Sequence, residues 1–496
     1  MGWRLCFYGT LITKGYTMKN IIRNVILASS CLLTPTIYAQ GELPIIAKEI
    51  QHSLTSTQLE STTMSIEHSG AQFIKLHFKM LNLPKGTALR ISSSDGTEVV
   101  EYTKNQSNWF AQSIFGEKTS IELVPNQQGV IGKFEIDYYM AGDESVTSAS
   151  EEGVSTLSTC GVNERKDVAC WQDSHPDKVA WSNPVARLLI NGRSLCTAWR
   201  VGPDNKLFTN NHCVSSASEL KNTEVWFNYQ RSTCDGSLSS TVKVMGNELF
   251  STDYQLDYTL FSVDDFAKIE SFGYLGLDAS EPVYGNGIYI PQHGAGNPKE
   301  LAIESDQNGS GLCQIDVAST NGRGTHTDTG YLCDTIGGSS GSPVLNTSNN
   351  KAIALHHFGG CENQGVKISK IWPQVATFFN NTLPDGSVVQ TPPSIQELIP
   401  GKAITDITLN KGEQMMLVVK AANRTSPLTI AIDSGTGDAD LYVRSGAEPT
   451  TSAYDCRPYR SGNDESCSAS IRSEDLYVML RAYSSFSGVK ISATQH

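Results

Sequence analysis

The segment GGSSGSP at residues 337–343, which runs into the apolar pair Val344-Leu345, restricts the fold more than any other stretch of this chain. Two earlier motifs belong with it. TNNHC occupies residues 209–213 directly after an apolar pair, and LDYTL occupies residues 256–260. Short apolar runs beside turn-forming polar residues are typical of β-strand ends. The three motifs therefore predict a strand-rich domain whose loops carry a histidine, an aspartate and a serine.

His212, Asp257 and Ser340 have the residue types that nucleophilic catalysis requires. A serine hydroxyl is a weak nucleophile until an imidazole takes its proton, and a buried carboxylate fixes the tautomer of that imidazole. We predict that Ser340 is the nucleophile, His212 the general base and acid, and Asp257 the orienting carboxylate. The backbone N–H groups of Gly338 and Ser340 are predicted to form the oxyanion hole. The order His, Asp, Ser is that of chymotrypsin-type enzymes, and not of subtilisins or α/β-hydrolases.

Each motif taken alone also has a structural interpretation. A GGSSGSP segment can be a flexible linker, and a single histidine beside a cysteine is more often structural than catalytic. Asp253, Asp264 and Asp265 are alternative candidates for the third role in the triad. Two other classes of function stay open. One is an extracellular binding protein on an inactive protease scaffold, and the other is an esterase or lipase, although the serine lacks a G-x-S-x-G motif.

The composition excludes several classes of protein. The chain has 496 residues, of which 39% are hydrophobic and 18% charged, and its net charge is −13. This length predicts about three domains at roughly 150 residues each. The acidic excess argues against nucleic acid as a partner, and we expect protein or peptide substrates. Common phosphate-binding and zinc-protease motifs are missing from the sequence, and we predict no cofactor and no metal ion. Asp438 and Asp440 are alternative calcium ligands, although a turn with solvated acids is the favoured interpretation. The many Gly, Ser, Thr and Asn residues favour an all-β fold with frequent turns.

The first 39 residues are predicted to be an N-terminal extension followed by a signal peptide that starts at Met18. Lys19 and Arg23 precede a short apolar segment, and the small residue Ala39 ends the leader. We therefore expect a secreted protein, exported through the periplasm, with no membrane attachment after cleavage. Ten of the twelve cysteines follow the leader, and export favours disulfides among them.

The rest of the chain divides into three β-rich segments. Residues 40–152 contain no cysteine and end in a polar linker. Residues 153–385 contain the three motifs and eight cysteines, and residues 386–394 form a proline-containing linker to the last segment, 395–496. The apolar residues of 371–381 predict a helix near the end of the middle segment. This division places one module before and one after the segment that carries the triad.

The middle segment resembles chymotrypsin-fold serine endopeptidases, and bacterial lysyl endopeptidases in particular, over residues 153–380. FNYQRSTC at residues 227–234 is the most specific local match, and TNNHC, DYTL and GGSSGSP also fit. The resemblance implies a double β-barrel with the triad in the cleft between barrels, in a trypsin-like enzyme made as a zymogen. It also implies the disulfides Cys196–Cys213, Cys170–Cys234 and Cys160–Cys361. Two further pairs are our own expectation, Cys313 with Cys333 and Cys456 with Cys467.

Two departures from that family concern activation and the S1 pocket. Ser339 stands where trypsin-like zymogens have an aspartate that binds the new N-terminus, so that ion pair is not available here. The aspartate that binds lysine in lysyl endopeptidases has no counterpart in the stretch after Cys361. Asp334, six residues before Ser340, has the spacing of the S1 aspartate of trypsin and predicts Lys or Arg at P1. His357 supports the alternative of an acidic P1 residue, as in glutamyl endopeptidases.

Both flanking segments resemble modules of secreted bacterial proteases. Residues 81–132 are similar to a pro-region, which implies a propeptide cleaved near 152–153; a permanent N-terminal module is the alternative. GTGDADLYVRSG at residues 435–446 closely matches the bacterial pre-peptidase C-terminal (PPC) domain, which implies a β-sandwich. Residues 476–481 and 489–492 are expected to be separate strands of it. Exposed tyrosine and arginine side chains there are candidates for contact with an insoluble substrate, although core and turn roles are the favoured interpretation.

Overall fold

The computed structural model describes residues 43–56, 63–143, 158–388, 396–412, 414–423, 426–451, 453–470 and 474–496. The predicted signal peptide and the predicted cleavage site at 152–153 lie outside these ranges. Strands dominate the described residues, and the all-β fold class is confirmed. Within these ranges, no helix is both long enough and apolar enough to span a membrane.

Residues 43–143 form two antiparallel sheets around one apolar core. The strands are β1 (Ala47–Thr55), β2 (Thr63–Glu67), β3 (Phe73–Asn82), β4 (Ala88–Ser93), β5 (Val99–Tyr102), β6 (Gln106–Phe110), β7 (Ile114–Phe115), β8 (Lys118–Val124) and β9 (Lys133–Gly142). One sheet has the order β1-β9-β3-β6 with β7 beside β3, and the other has the order β2-β8-β4-β5. Thr119, Ile121 and Leu123 of β8 are buried because alternate residues of a strand face the same side.

Residues 158–388 contain one closed six-stranded barrel and one open eight-stranded sheet. The strands are β10 (Lys166–Asp167), β11 (Val185–Ile190), β12 (Ser194–Arg200), β13 (Leu207–Thr209), β14 (Thr223–Phe227), β15 (Val242–Asp253), β16 (Tyr258–Val263), β17 (Ile288–Gln292), β18 (Glu300–Ala302), β19 (Ile315–Thr320), β20 (Asp328–Tyr331), β21 (Pro343–Asn346), β22 (Ala352–Phe358) and β23 (Asn363–Lys367). The barrel has the order β11-β12-β13-β16-β15-β14, and the sheet has the order β10-β18-β17-β21-β22-β23-β20-β19. A continuous core joins them, with Trp199 and Phe208 of the barrel in the same cluster as Tyr289 and Leu355 of the sheet.

Three short helices accompany these strands: α1 (Pro176–Trp181), α2 (Ala217–Lys221) and α3 (Ile368–Val375). The helix expected at 371–381 thus begins earlier, at Ile368, and gives way to a 3-10 helix at Ala376–Phe379. Five disulfides join the pairs named above, Cys160–Cys361, Cys170–Cys234, Cys196–Cys213, Cys313–Cys333 and Cys456–Cys467. Four of them cross-link residues 158–388.

The described residues after 395 form a β-domain around one long strand. Its strands are β24 (Gln396–Glu397), β25 (Ile404–Leu409), β26 (Gln414–Val419), β27 (Leu428–Asp433), β28 (Thr436–Ser445), β29 (Glu465–Ala469) and β30 (Leu476–Gln495). The first part of β30 pairs with β26 and β28, and its second part pairs with β25 and β27. The two strands expected at 476–481 and 489–492 are therefore one strand that links both halves of the domain.

The N-terminal domain packs on the barrel at β14. Glu224 of β14 is fully buried and pairs with Lys75 of β3. Ser113 donates two further hydrogen bonds to the same carboxylate, from its backbone N and its Oγ, both of 2.7 Å. The ring of Phe73 meets the ring of Trp226 edge-on, with centroids 6.0 Å apart. Buried charge and aromatic contacts therefore both join the N-terminal domain to the barrel.

Candidate active site

His212 and Asp257 are brought together by two neighbouring strands of the barrel. His212 follows β13 and Asp257 directly precedes β16, and these strands pair with Thr209 opposite Thr259. The Asp257 Oδ2 atom lies 2.7 Å from His212 Nδ1, and Asp257 Oδ1 accepts a 2.9 Å hydrogen bond from the His212 backbone N. Asp257 is fully buried. This carboxylate therefore fixes both the ring and the backbone of His212, which is the arrangement expected of an orienting residue.

Asp257 has two further cationic partners. His357 Nδ1 lies 3.1 Å from Asp257 Oδ2, and Arg323 Nη1 lies 3.2 Å from Oδ1. The other ring nitrogen of His357, Nε2, lies 2.5 Å from Asp328 Oδ2. Burial alone would raise the pKa of Asp257, but His212 and His357 hold it well below its ordinary value. His212 and His357 therefore favour the ionised form of Asp257.

His357 is positively charged because two carboxylates contact its ring. Burial alone would lower its pKa, but Asp328 and Asp257, which contact its two ring nitrogens, raise the pKa of His357 to about 9. Both nitrogens are therefore occupied by carboxylates of the protein. The side chain lies behind Asp257 in a buried charge cluster, and it has no free nitrogen for a P1 carboxylate. The neighbouring His356 bonds through Nδ1 to Tyr331 Oη at 2.7 Å, and burial lowers the pKa of His356 to about 3.

Ser340 lies at the start of the turn that leads into β21. Its carbonyl oxygen accepts a 2.8 Å hydrogen bond from the backbone N of Thr197 in β12. The Sγ atom of Cys213, the residue after His212, lies 3.9 Å from the same oxygen. Among the residues that the structure describes, Ser340 Oγ has no hydrogen bond, and nucleophile–base contacts commonly tighten only on substrate binding.

Gly338 and Gly341, on either side of Ser340 in the turn, have backbone conformations that favour glycine. Gly338 has φ of +97° and Gly341 has φ of +89°, a region that residues with a Cβ rarely adopt. A Cβ on Gly341 would lie 2.1 Å from the carbonyl oxygen of Thr197. The GGSSGSP segment is thus a tightly packed turn against β12, and not the flexible linker that its composition also allows.

A disulfide borders the histidine. Cys196, His212 and Cys213 offer ligand atoms within 4.8 Å of one another, a spacing compatible with a metal ion. The two sulfur atoms are bonded to each other, however. The cluster therefore anchors the loop that carries His212 to β12.

Asp334 is fully buried, and both of its oxygens are hydrogen-bonded to backbone. Oδ1 accepts from Cys160 N and Oδ2 accepts from Glu164 N, each at 2.8 Å. Burial raises the pKa of Asp334, against the opposing effect of these two N–H groups. The structure therefore places this S1 candidate against the 160–164 segment.

Three residues of the site have no sequence motif. Arg323 lies in the loop between β19 and β20, Asp328 begins β20, and Gln292 ends β17. Each is a polar residue in a polar or mixed stretch, and only the packing of the sheet brings it to the triad or to the serine turn. The spacing of the motifs contains no signal for them.

Family comparisons cover the middle and last segments. The family model described as "Lysyl endopeptidase, C-terminal domain" matches residues 160–368, and the model described as "Bacterial pre-peptidase C-terminal domain" matches residues 419–482. These ranges contain His212, Asp257 and Ser340 and part of the core of the C-terminal domain.

Similar proteins come from several organisms. The "Secreted RxLR effector protein 73" of Plasmopara viticola is 34% identical over 62% of this chain and 79% of its own length. The "Alkaline serine exoprotease A" of Vibrio alginolyticus is 40% identical over 21% of this chain and 19% of its own. A Helicobacter pylori protein named "Zinc metalloprotease" is 43% identical over 24% of this chain and 46% of its own. This chain thus spans less than half of the length of each of these last two proteins, both of which are named as proteases.

Among solved structures, the "Solution structure of vEP C-ter 100" is 38% identical, covers 20% of this chain and 99% of that chain, and has a TM-score of 0.18. The lysyl endopeptidase match and the relatives named as proteases support a hydrolase of the protease class, and the PPC domain and the secreted relatives support secretion. Residues 160–368 of the chain therefore belong to the lysyl endopeptidase family, and residues 419–482 belong to the PPC family.

Proposed function

We propose that this protein is a serine endopeptidase that hydrolyses peptide bonds through an acyl-enzyme, with His212, Asp257 and Ser340 as its triad. The observation that carries the proposal is the buried 2.7 Å contact between Asp257 and His212 Nδ1. That contact leaves His212 Nε2 as the nitrogen for proton transfer. The barrel and the serine turn meet at the adjoining Cys213, whose Sγ lies 3.9 Å from Ser340 O.

The proposed reaction has two matched halves. Ser340 Oγ attacks the carbonyl carbon of the scissile bond while His212 Nε2 takes its proton, and the N–H groups of Gly338 and Ser340 bind the oxyanion. His212 then gives the proton to the leaving amine as the C–N bond breaks. Water repeats the sequence on the ester, and Ser340 recovers its proton. Asp257 stays ionised throughout and stabilises the imidazolium.

We propose Lys or Arg at P1, supported by the negative charge of Asp334 six residues before Ser340. Because Cys160 N and Glu164 N bind its oxygens, this charge would act on P1 from behind the pocket floor. An acidic P1 residue is the alternative. The alternative has less support now that His357 is bonded on both nitrogens to Asp257 and Asp328.

We propose further that residues 40–152 are a propeptide and that residues 395–496 act as an accessory module. The propeptide proposal is supported by the buried contact between the N-terminal domain and β14. In the sequence, β14 lies far from the serine turn. Support for contact of the last domain with insoluble substrates is Tyr459, which is 72% exposed with the Arg457 guanidinium 3.5 Å from its ring centroid.

A cleavage-site profile tests the proposed function. The secreted wild type and Ser340→Ala are incubated with a mixed peptide library, and the cut sites are read by mass spectrometry. The proposal expects cuts after Lys and Arg that vanish in Ser340→Ala. Cuts after Glu would retain the triad and reject the P1 assignment. Processed, folded protein that cuts nothing would favour a binding protein on a protease scaffold.

A further inference from the structure

The residue before the proposed nucleophile is held by a buried glutamine. Ser339 Oγ donates a 2.5 Å hydrogen bond to Gln292 Oε1 and accepts a 3.1 Å bond from Ile336 N. Gln292 Nε2 donates a 3.0 Å bond to the carbonyl oxygen of Asp334. Gln292 and Ser339 have no exposed surface. One side chain at the end of β17 thus ties both ends of the 334–339 loop.

The peptide unit between Gly337 and Gly338 is oriented by the segment that follows Gln292. The carbonyl oxygen of Gly337 accepts a 2.6 Å hydrogen bond from Ala295 N, three residues after Gln292. In a trans peptide the C=O and the following N–H point in opposite directions. The Gly338 N–H therefore points away from Ala295, and it is left available as an oxyanion-hole donor.

A third tie fixes the Gly338 carbonyl. Thr197 Oγ1 donates a 3.0 Å hydrogen bond to Gly338 O and accepts a 3.1 Å bond from His293 N. A Cβ on Gly338 would lie 2.9 Å from the carbonyl oxygen of His293. The loop is thus held from β12 and from the 292–295 segment, and every one of these bonds uses uncharged groups.

We infer that Gln292 is a positioning residue which, through Ser339, holds the oxyanion hole in its active form without the help of a new N-terminus. The inference rests on the proposed function, because it takes Ser340 as the nucleophile. A Gln–Ser hydrogen bond here does the work that an aspartate and a cleaved N-terminus do in trypsin-like zymogens. Latency of the uncut chain is then expected to come from blocked access to the cleft, since the hydrogen bonds that hold the 334–339 loop are made without a new N-terminus.

The test compares Gln292→Leu, Ser339→Ala and the double variant of the full chain, with Gln307→Leu as a control at an exposed glutamine. The probe is p-nitrophenyl acetate, which transfers its acetyl group to Ser340 and releases p-nitrophenolate. A fluorophosphonate titration counts reactive sites, so that the acylation rate constant is obtained per active site. Circular dichroism and the thermal midpoint verify folding.

Gln292→Leu is expected to lower the acylation rate constant per active site by about 10-fold to 100-fold, which is less than the roughly 100-fold to 1000-fold loss when an oxyanion donor itself is removed. The concentration for half-saturation and the pH midpoint should stay unchanged, because the His212–Asp257 pair is untouched. The double variant should lose little more than Gln292→Leu alone, because both changes break the same Gln292–Ser339 hydrogen bond.

Two results would overturn the inference. One is a Gln292→Leu protein with fewer active sites but an unchanged rate at each site, which indicates a structural role alone. The other is an unchanged rate in both Gln292→Leu and Ser339→Ala. If Gln292→Leu does not fold, the Ser339→Ala rate per site decides the question. Persistent acylation in Ser340→Ala would instead reject the proposed function itself.

Discussion

Lys75 of the N-terminal domain and Glu224 of the barrel form an ion pair in which neither side chain has any exposed surface. Glu224 also accepts hydrogen bonds from Ser113 and from Trp226 Nε1. Burial alone would raise the pKa of Glu224, but Lys75 and Lys243 hold it below its ordinary value. The contact between the two domains is therefore built around a charge that depends on partners from both.

Removal of one partner should destabilise this contact strongly. Lys75→Met leaves Glu224 without its nearest cation, and breaking a buried pair in this way typically costs about 3–5 kcal/mol. Urea unfolding of the full chain measures the loss. The matched control is Lys79→Met, whose exposed pair with Glu135 should contribute little to stability because solvent screens it. Equal small losses for both variants would show that the buried pair does not hold the domain.

The charge on His357 should make stability depend on alkaline pH. A pKa raised from 6.5 to about 9 in the folded state gives stability that is complete below about pH 6.5 and is lost as the pH rises through 9. The unfolding free energy of wild type relative to His357→Gln should therefore fall between pH 7 and pH 10, by on the order of 3 kcal/mol. His52→Gln, at an exposed histidine, is the control. A difference that stays constant with pH would mean that His357 is neutral.

The disulfide beside His212, the proposed general base, should support both stability and activity. Replacing Cys196 and Cys213 by serine should cost about 2–4 kcal/mol of stability and should lower kcat, because the loop of His212 loses its tie to β12. The Cys456–Cys467 pair offers a control in the C-terminal domain, whose removal should leave kcat unchanged. Equal kcat for both double variants would contradict the anchoring role.

Asp334 gives a direct test of the P1 proposal. Asp334→Asn keeps the shape of the side chain and removes the buried charge, so cleavage after Lys and Arg should fall relative to cleavage after uncharged residues. The library profile of the variant, compared with that of wild type at equal active-site concentration, measures this ratio. An unchanged profile would assign Asp334 only to the support of the 160–164 segment.

The sequence predicts those parts of the site whose chemistry is local. GGSSGSP, TNNHC and LDYTL each combine an apolar run with a turn, and the pairing of β13 with β16 then brings His212 and Asp257 together. Arg323, Asp328 and Gln292 could not be predicted in this way. Arg323 lies in the loop between β19 and β20, and this hairpin and β17 reach the site through the pairing of β20 with β23 and of β17 with β21. Such long-range pairing has no periodic signal in the chain.

The exact ends of helices and strands also depend on tertiary contacts that the sequence pattern does not reveal. The helix near residue 371 was predictable from its apolar residues, but its start at Ile368 depends on β23, which ends one residue earlier. The polar stretch between residues 481 and 489 suggests a break, yet β30 runs through it because β25 and β28 supply partners there. Tertiary pairing overrides local propensity in both cases.

The most direct test of the central claim is covalent labelling of the proposed nucleophile. A fluorophosphonate loses fluoride to an activated serine oxygen, and tryptic mass spectrometry locates the added phosphonate. The triad predicts a single label on Ser340, abolished in His212→Ala and greatly slowed in Asp257→Asn. Labelling at another residue, or equal labelling of Ser340 in His212→Ala, would contradict the assignment.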